Sequence, residues 1–557
     1  MRSVSSSGIH PSASRPSPWL DPPPAMLANM RTTPSLPETA DLVIVGAGFS
    51  GVSVAYHALK AYPGMRIVLL EAGDVCNGAT GRNGGHLRPD YYTYTTDVLS
   101  KFGPEEAVRH NKFERRNFEA LMELIEQDGV ECETDKDGEA WQVFLSPVEF
   151  RQALNNLAVM RDLGGDVHDV RVYMREEARR ITGIQGCFGA IASPATPISP
   201  TKLVSHLVER SLANGLNLQT NVRATKISRN VLTGSSSGSE SAYGIHADSD
   251  SDGFEEIDGS TLRIAPKRSS FLYKVQTTRG AILANKVVHA TNAYLDSLLS
   301  ISSDIISTTK SSSTNVLVTP TRGHVIEIEP LGEGRKSLSL DPNHKITNMS
   351  FNYGGEYLVQ RPNGNFVLGG GRRYGRGQGY EELSSTAASS AEEEIDAAVD
   401  LHLRAFFTQT LCFDNARFLK PTLSPIQTAE TNATYSETFR VVNQWTGIMG
   451  FSTDSFPIVG KVPSFVEQSQ EYCIAGFTGH GMPRIFLAAK QLVRQILAED
   501  PDFQFDLEYS QSTDHGGGGV TESFMQREAW DGCEEMPECF GITEERLSEI
   551  ITALRQF

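Results

Sequence analysis

DLVIVGAGFSGVSVAYHALKAYPGMRIVLLE, Asp41 to Glu71, decides the fold of this chain. A short apolar run, Leu42 to Val45, is what a buried parallel strand requires. Gly46, Gly48 and Gly51 follow at G-x-G-x-x-G spacing. The first glycine permits a tight turn, the second a close approach of backbone to pyrophosphate, and the third close packing of helix on strand. Val52, Ala55, Tyr56 and Leu59 then recur at helical spacing until Pro63-Gly64 stops the helix. A second apolar run, Ile67 to Leu70, ends on Glu71, an acid placed to accept hydrogen bonds from a ribose. Isolated glycine spacing is weak evidence, but strand, glycines, helix, strand and acid arrive in order within about thirty residues. The apolar stretch from Leu42 to Leu59 is broken by three glycines and His57, so it is not read as a membrane span.

After Glu71 comes AGDVCNGATGRNGGHLRPDYY, residues 72–92. Gly78, Gly81, Gly84 and Gly85 surround Arg82, Asn83 and His86 in a loop too rich in glycine for a simple connector. Backbone N–H groups there can approach a planar ligand, and Arg82 and Asn83 can donate hydrogen bonds to it.

At this point the chain resembles the D-amino-acid-oxidase-type FAD-dependent oxidoreductases. It is most similar to their amine-oxidising branch of glycine, sarcosine and γ-glutamylputrescine oxidases. The resemblance covers roughly residues 41–498 without an insertion at 231–270. It implies that the first βαβ unit holds the ADP half of FAD through Gly46, Gly48, Phe49, Ser50, Gly51, Glu71 and Ala72. It sets Thr80, Arg82, Asn83, Gly84, Gly85 and His86 near the isoalloxazine ring, and Val222 on the adenine side. Thr291 and Asn292, ending the strand in KVVHATNAY, lie over the cofactor in the same comparison. Gly479-His480-Gly481-Met482 opens the last helix and can turn N–H groups toward a carbonyl that gains negative charge. One departure matters: sarcosine oxidases of this family attach FAD through a cysteine near the position of Trp445. No cysteine stands between Cys412 and Cys473, and the neighbours of His86 do not match histidine-linked relatives, so non-covalent FAD is expected.

The 557 residues suffice for two or three domains, and 39% hydrophobic composition is ordinary for a globular protein. A net charge of −18 disfavours nucleic acid and anionic membrane, which both require basic surfaces. Seven scattered cysteines suit free thiols in a reducing compartment, although Cys533 and Cys539 stand close enough to bridge in an exposed tail. No C-x-x-C or paired histidine spacing suggests zinc, and no metal is expected. Asn348 and Asn432 carry glycosylation patterns that matter only in a secreted protein, and no apolar signal-peptide core precedes them. The expected location is cytoplasmic, with organelle targeting through the Arg-containing N-terminus as a minor alternative.

The expected fold class is α/β, with a discontinuous Rossmann-type FAD-binding domain and an α+β substrate domain on a mainly antiparallel sheet. The FAD-binding domain is assigned to residues 40–100, 185–230, 271–300 and 445–498, and the substrate domain to 101–184 and 301–444. Residues 1–39, rich in Ser and Pro, and the insertion at 231–270 read as disordered. The acidic run in that insertion lacks the spacing of a calcium loop. Helices are expected at 104–128, 147–163 and 388–407, and strands at 141–145, 316–329, 357–368 and 438–445. Asn363-Gly364 is a strong hairpin turn. The glycine-rich 369–382 lacks a following strand and acid, so it reads as a loop beside the substrate cavity. Residues 499–557 form an extension whose terminal amphipathic helix docks on the body or on a second subunit.

The resemblance implies hydride removal from the α-carbon of a neutral amine or amino acid, giving an imine and, with dioxygen, hydrogen peroxide. A substrate carboxylate needs a cation, and Arg88 and Arg484 each follow a flavin loop. Two rivals stand against this reading. One is a flavin monooxygenase or NAD(P)H-linked reductase, disfavoured by the lack of a second dinucleotide fingerprint. The other is an inactive flavoprotein scaffold, disfavoured by the intact glycines and Glu71.

Overall fold

A computed structural model describes residues 16–20, 28–229, 272–299, 317–331, 336–380, 394–411, 439–463, 469–499, 535–543 and 545–549. The expected insertion at 231–270 lies outside them. The opening stretch folds as strand β1 (Thr39–Val45), helix α1 (Phe49–Ala61) and strand β2 (Ile67–Leu70). β1 is buried on both faces. Leu42 and Ile44 point into one core with α1, while Ala40, Val43 and Val45 point into another. That double burial is why its sequence runs apolar instead of alternating.

A short helix α2 (Ala79–Arg82) and strand β3 (His86–Leu87) carry the glycine loop, followed by α3 (Thr95–Phe102) and α4 (Pro104–Gln127). Then come β4 (Glu139–Phe144), α5 (Pro147–Asp162), β5 (Arg171–Met174), α6 (Arg175–Thr182), β6 (Gly189–Pro194) and β7 (Thr196–Pro197). Helix α7 (Pro200–Ala213) leads to β8 (Asn217–Gln219), β9 (Ala224–Arg229), β10 (Tyr273–Thr277) and β11 (Gly280–His289). The remaining elements are β12 (Val318–Pro330), β13 (Ile346–Phe351), β14 (Glu356–Gln360), β15 (Phe366–Gly370), α8 (Ala397–Leu411), β16 (Phe439–Ser452), β17 (Ile458–Lys461), β18 (Glu471–Ala475) and α9 (Ile485–Ala498).

Two sheets organise these elements. The first runs β17-β18-β11-β1-β2-β8, parallel from β18 to β8, with β10 and β9 folded back from β11. Helices α1, α4, α7 and α9 cover one face; β9 and β10 close the other. The second sheet runs β16-β12-β15-β14-β13-β4-β6-β5 and is antiparallel throughout except for the β13–β4 pair. One of its faces packs on α6 and α8 through Ala178, Ile181, Leu403 and Phe407. The hairpin turn at Asn363-Gly364 forms as its sequence predicts, with Gly364 at φ +87° and Arg361 N–H bonded to Asn365 O at 2.8 Å. The α/β fold class with a discontinuous parallel-sheet domain thus stands.

Several boundaries move. β6, expected in the FAD-binding domain, joins the antiparallel sheet, and so does β16 as far as Ser452, past the expected end at residue 445. α4, expected in the substrate domain, packs Phe113, Leu121 and Ile125 into the core of α1 and α9. The helix expected at 388–407 is observed from Ala397 to Leu411, and residues 381–393 lie outside the description. The reason is shared: burial against distant partners, invisible in local periodicity, assigns an element to a domain.

The ends also differ from expectation. Residues 1–39 are not uniformly without structure. Trp19 is 4% exposed, and Thr32 N–H and Thr220 N–H tie residues 30–32 to β8 at 3.0 and 2.9 Å. One buried indole and backbone pairing outweigh a polar composition there. At the other end Phe540 is fully buried against Phe113, and Arg546 binds Asp454 at 2.7 Å, so the described tail docks on the body of its own chain. Cys539 is therefore a buried free thiol, like Cys76, Cys132, Cys187 and Cys473, and not part of a bridge in an exposed tail. Asn348 is fully buried in β13, which closes its glycosylation pattern to any modifying enzyme; Asn432 lies outside the described residues. Among the described residues no helix is long and apolar enough to cross a membrane.

Candidate active site

The parallel strands end at the N-terminus of α1. Gly46 turns there with φ +106°, and a Cβ on it would lie 2.6 Å from the Ala290 carbonyl oxygen at the end of β11. A Cβ on Gly51 would overlap the Gly46 carbonyl oxygen, so only glycine lets α1 approach its strand. No side chain of its N-cap, Gly48, bonds the first turn of α1, and no acid lies in that turn. Such an end attracts an anion through its unsatisfied N–H groups and its dipole. Phe49 N–H donates to Thr80 Oγ1 at 2.9 Å, which joins α1 to the glycine loop. Ser50 is buried behind it and Ala72 lies exposed beyond β2.

Glu71 follows β2, where its Oε2 accepts Ala47 N–H at 2.8 Å and its Oε1 accepts Gly73 N–H at 2.9 Å. Val222 N–H donates to the Glu71 carbonyl at 2.8 Å, which places Val222 beside the acid. Thr291 Oγ1 is buried with no partner at the end of β11. Asn292, at φ +47°, instead accepts Gly476 N–H at 3.1 Å and so ties β11 to the loop after β18. The glycine cradle, the acid-free first turn of α1 and the orphan hydroxyl together fit an ADP-bearing cofactor.

The loop after α2 corrects one expectation. Arg82 and Asn83 were expected to donate to a planar ligand, yet both hold the loop itself. Arg82 Nε donates to Asn77 O at 2.8 Å and its Nη1 to Thr446 O at 3.1 Å. Asn83 Nδ2 donates to Thr80 O and its Oδ1 accepts Gly85 N–H, each at 2.8 Å. Sequence patterns cannot tell a donor aimed at a ligand from one aimed at the backbone a few residues back. Trp445, the residue in place of a linking cysteine, is fully buried in β16 and donates from Nε1 to Arg82 O at 2.9 Å.

β3 carries the loop onto the free face of the antiparallel sheet. Arg88 Nη1 donates to Ser350 Oγ at 2.8 Å and Nη2 to Gln142 Oε1 at 3.2 Å, while its buried Nε has no partner. Tyr92 Oη donates to the same Gln142 oxygen at 2.6 Å. β13 and β4 present Ser350 and Gln142 as paired neighbours, so one register places both under Arg88. His86 Nε2 is also buried without a partner, and its ring lies 6.1 Å from that of Tyr357. Burial, then the charge of Arg88, holds His86 well below the ordinary histidine pKa, so it is neutral. The second site loop is different. His480 Nε2 bonds Glu114 Oε2 at 2.9 Å, and Arg484 Nε donates to Glu114 Oε1 at 2.6 Å. Arg484 is 2% exposed and also meets His110 Nε2 at 3.2 Å, with its guanidinium between the rings of Tyr94 and Phe540. It is committed to an internal ion pair with Glu114, and not to open space where the expected carboxylate would lie. Glu114 was missed, although its place on the buried stripe of α4 with His110, Phe113, Asn117 and Leu121 is a legible signal. His480 N–H is spent on Phe477 O at 2.8 Å, leaving Gly481 and Met482 as the part of this loop open to the expected role. Gln142 and Ser350 were also missed, since only strand register brings them to Arg88.

The family described as FAD dependent oxidoreductase matches residues 41–495. Gamma-glutamylputrescine oxidoreductase of Escherichia coli K12 is 34% identical over 96 residues, 17% of this chain and 22% of that protein. A probable oxidoreductase, OrdL, of Rhizobium meliloti is 24% identical over 190 residues, 34% of this chain and 44% of that protein. The chain thus spans 22% of the length of the first of these curated relatives and less than half of the second. Among solved structures, glycine oxidase from Geobacillus kaustophilus superposes with TM-score 0.55 at 16% identity, covering 86% of this chain and all (100%) of that one. L-amino acid deaminase from Proteus myxofaciens superposes with TM-score 0.55 at 13% identity, covering 88% and 95%.

Proposed function

The chain belongs to the family of FAD-dependent oxidoreductases, and we propose that within it this protein oxidises a small amine or amino acid at the carbon bearing nitrogen. The observation that carries this reading is Arg88: a cation on the sheet face beside the glycine loop, braced by two neutral groups and keeping one buried donor unspent. Guanidinium binds carboxylate through paired donors, so an amino acid anchored there presents its α-carbon toward the loop.

When bound, FAD supplies a ring that accepts a hydride and passes its electrons to dioxygen, giving peroxide. The residues that would hold it are those of the α1 N-terminus for the pyrophosphate, Glu71 for the ribose, and Val222 for the adenine side. Gly84, Gly85 and His86 would border the ring, with Gly481 and Met482 near the edge that gains charge. Attachment is non-covalent, since the buried indole of Trp445 fills the place of a linking thiol.

The surroundings also set the protonation state of the substrate. Burial and the charge of Arg88 keep His86 neutral. They disfavour an ammonium for the same physical reason, so the substrate nitrogen is held as the neutral amine from which hydride can leave. Released imine then hydrolyses in water. Two of the similar proteins support the class without fixing the substrate: a gamma-glutamylputrescine oxidoreductase and a glycine oxidase. A cytoplasmic location remains part of this proposal, in keeping with five buried free thiols among the described residues.

An anaerobic panel of amines and amino acids, followed by a peroxide assay in air, tests the reading. Bleaching of the flavin by a carboxylate-bearing amine, with peroxide formed in proportion, is expected. Bleaching by NADPH and by no amine would replace it with the reductase reading.

A further inference from the structure

Pro16–Leu20 lies outside the stretch that matches the family, yet its Ser17 and Trp19 are buried against the body. The Trp19 ring packs with Val325, Val359, Val367 and Trp445 on the free face of the antiparallel sheet, and the Arg361 guanidinium covers it at 4.6 Å. Trp19 Nε1 donates to Asn83 O at 2.8 Å, one residue beyond the Arg82 carbonyl that Trp445 Nε1 holds at 2.9 Å. Two indoles more than 400 residues apart in sequence, Trp19 and Trp445, thus grip successive carbonyls of the glycine loop. The Trp19 ring also stands 2.8 Å from where a Cβ on Gly85 would lie. The segment is fastened on several sides. Ser17 Oγ donates to Gly81 O, Thr201 Oγ1 donates to Trp19 O at 2.8 Å, and Asn443 Nδ2 donates to Pro16 O at 2.9 Å.

We propose that Pro16–Leu20 is a clasp that sets the Gly81–Gly85 loop for the flavin, with Trp19 as its positioning residue. The mechanism follows from peptide planarity. In a trans peptide the N–H points opposite to the C=O, so pinning the Asn83 carbonyl on Trp19 aims the Gly84 N–H away from the indole. Gly84 and Gly85 have no side chain to resist rotation of that peptide, and the indole supplies the missing restraint. This inference rests on FAD binding at the loop and adds a residue from beyond the family region.

The test uses the full chain with its flavin removed, titrated with FAD and followed by quenching of flavin fluorescence. Trp19→Phe keeps the ring packing and loses the donor. It should raise the FAD Kd about two- to tenfold while the thermal midpoint of the apoprotein stays at the wild-type value. Trp19→Ala and removal of residues 1–20 should raise it further. Because both indoles act on one loop, the effect of Trp19→Phe should change in a Trp445→Phe background. An unchanged Kd for Trp19→Phe, or effects of the two substitutions that simply add, would overturn the clasp. So would a Kd that rises only together with a lowered apoprotein midpoint, which marks packing alone. A wild-type chain that fails to take up FAD would instead refute the binding site itself.

Discussion

Two loops of this protein share a plan: glycines beside the proposed cofactor position, then an arginine a few residues on. In the first, Arg88 rests on Ser350 and Gln142, both neutral, and keeps an unspent donor. In the second, Arg484 is sealed against Glu114 beneath Tyr94 and Phe540. The difference lies in the partner that tertiary folding delivers. A sheet face offers hydrogen bonds that position a cation and leave its charge available, whereas a carboxylate from α4 cancels the charge. Arginine near a cofactor loop is therefore no evidence for substrate binding until its countercharge is known.

The largest expected effect breaks the second loop. Arg484→Ala leaves Glu114 buried without its guanidinium partner, held by His480 and the Asp90 N–H, at a cost of about 3–5 kcal/mol. A urea titration should show that loss directly, and Glu114→Ala should produce a similar one. An Arg484→Ala protein of wild-type stability would show the pair to be dispensable. The first loop should respond in the opposite manner. Arg88→Ala should leave the denaturation midpoint nearly unchanged and raise KM roughly ten- to a hundredfold, the loss of about 1.5–3 kcal/mol in charge-assisted bonding. A decarboxylated substrate should lose far less between wild type and mutant, and equal losses for both substrates would remove Arg88 as the anchor.

A smaller effect sharpens the contrast through pH. His110 faces Arg484, Glu114, Asp90 and His480, and burial first, then Arg484, holds its pKa down to about 4 from 6.5. His57, between α1 and α9 and bonded to Phe486 O at 3.0 Å, is held to about 3, chiefly by burial. Below pH 6.5 the unfolded chain binds protons at these residues that the folded one refuses, so stability should fall as pH drops from about 6.5 toward 4. The slope is at most about 1.4 kcal/mol per pH unit for each histidine. Glu114 acts in the same direction but at lower pH. Arg484, His480 and His110 outweigh its burial and hold its pKa below the ordinary carboxylate range, so its contribution is full above about 4.5 and is lost only as pH falls further. Replacing His57 by Asn should flatten the slope, and an identical pH profile would assign the titration elsewhere. The last expectation is of no residue at all: acid precipitation should release all flavin to the supernatant, and colour in the pellet would contradict non-covalent binding.

Much of the cofactor half was legible in the chain because local order carried it. The glycines, the helix and Glu71 belong to one βαβ unit, and their roles depend on neighbours within that unit. The substrate half was legible only as strands. Gln142 and Ser350 meet Arg88 through the β4–β13 register, and no local pattern announces such a pairing. Residues 16–20 escaped because composition averages over a window, while a single buried Trp19 decides the outcome.

The sequence by itself determined the nucleotide-binding unit, the alternation of helix and strand, the hairpin at Asn363-Gly364, and the lack of a cysteine at the position of Trp445. These depend on backbone conformation and on apolar spacing, which a few adjacent residues control. Only the tertiary structure decided which arginine keeps its charge available, that Arg82 and Asn83 brace their own loop, and that residues 16–20 and the described tail fold onto the body. Charge and hydrogen-bonding capacity are spent on whichever partner packing brings within about 3 Å, and those partners come from remote parts of the chain.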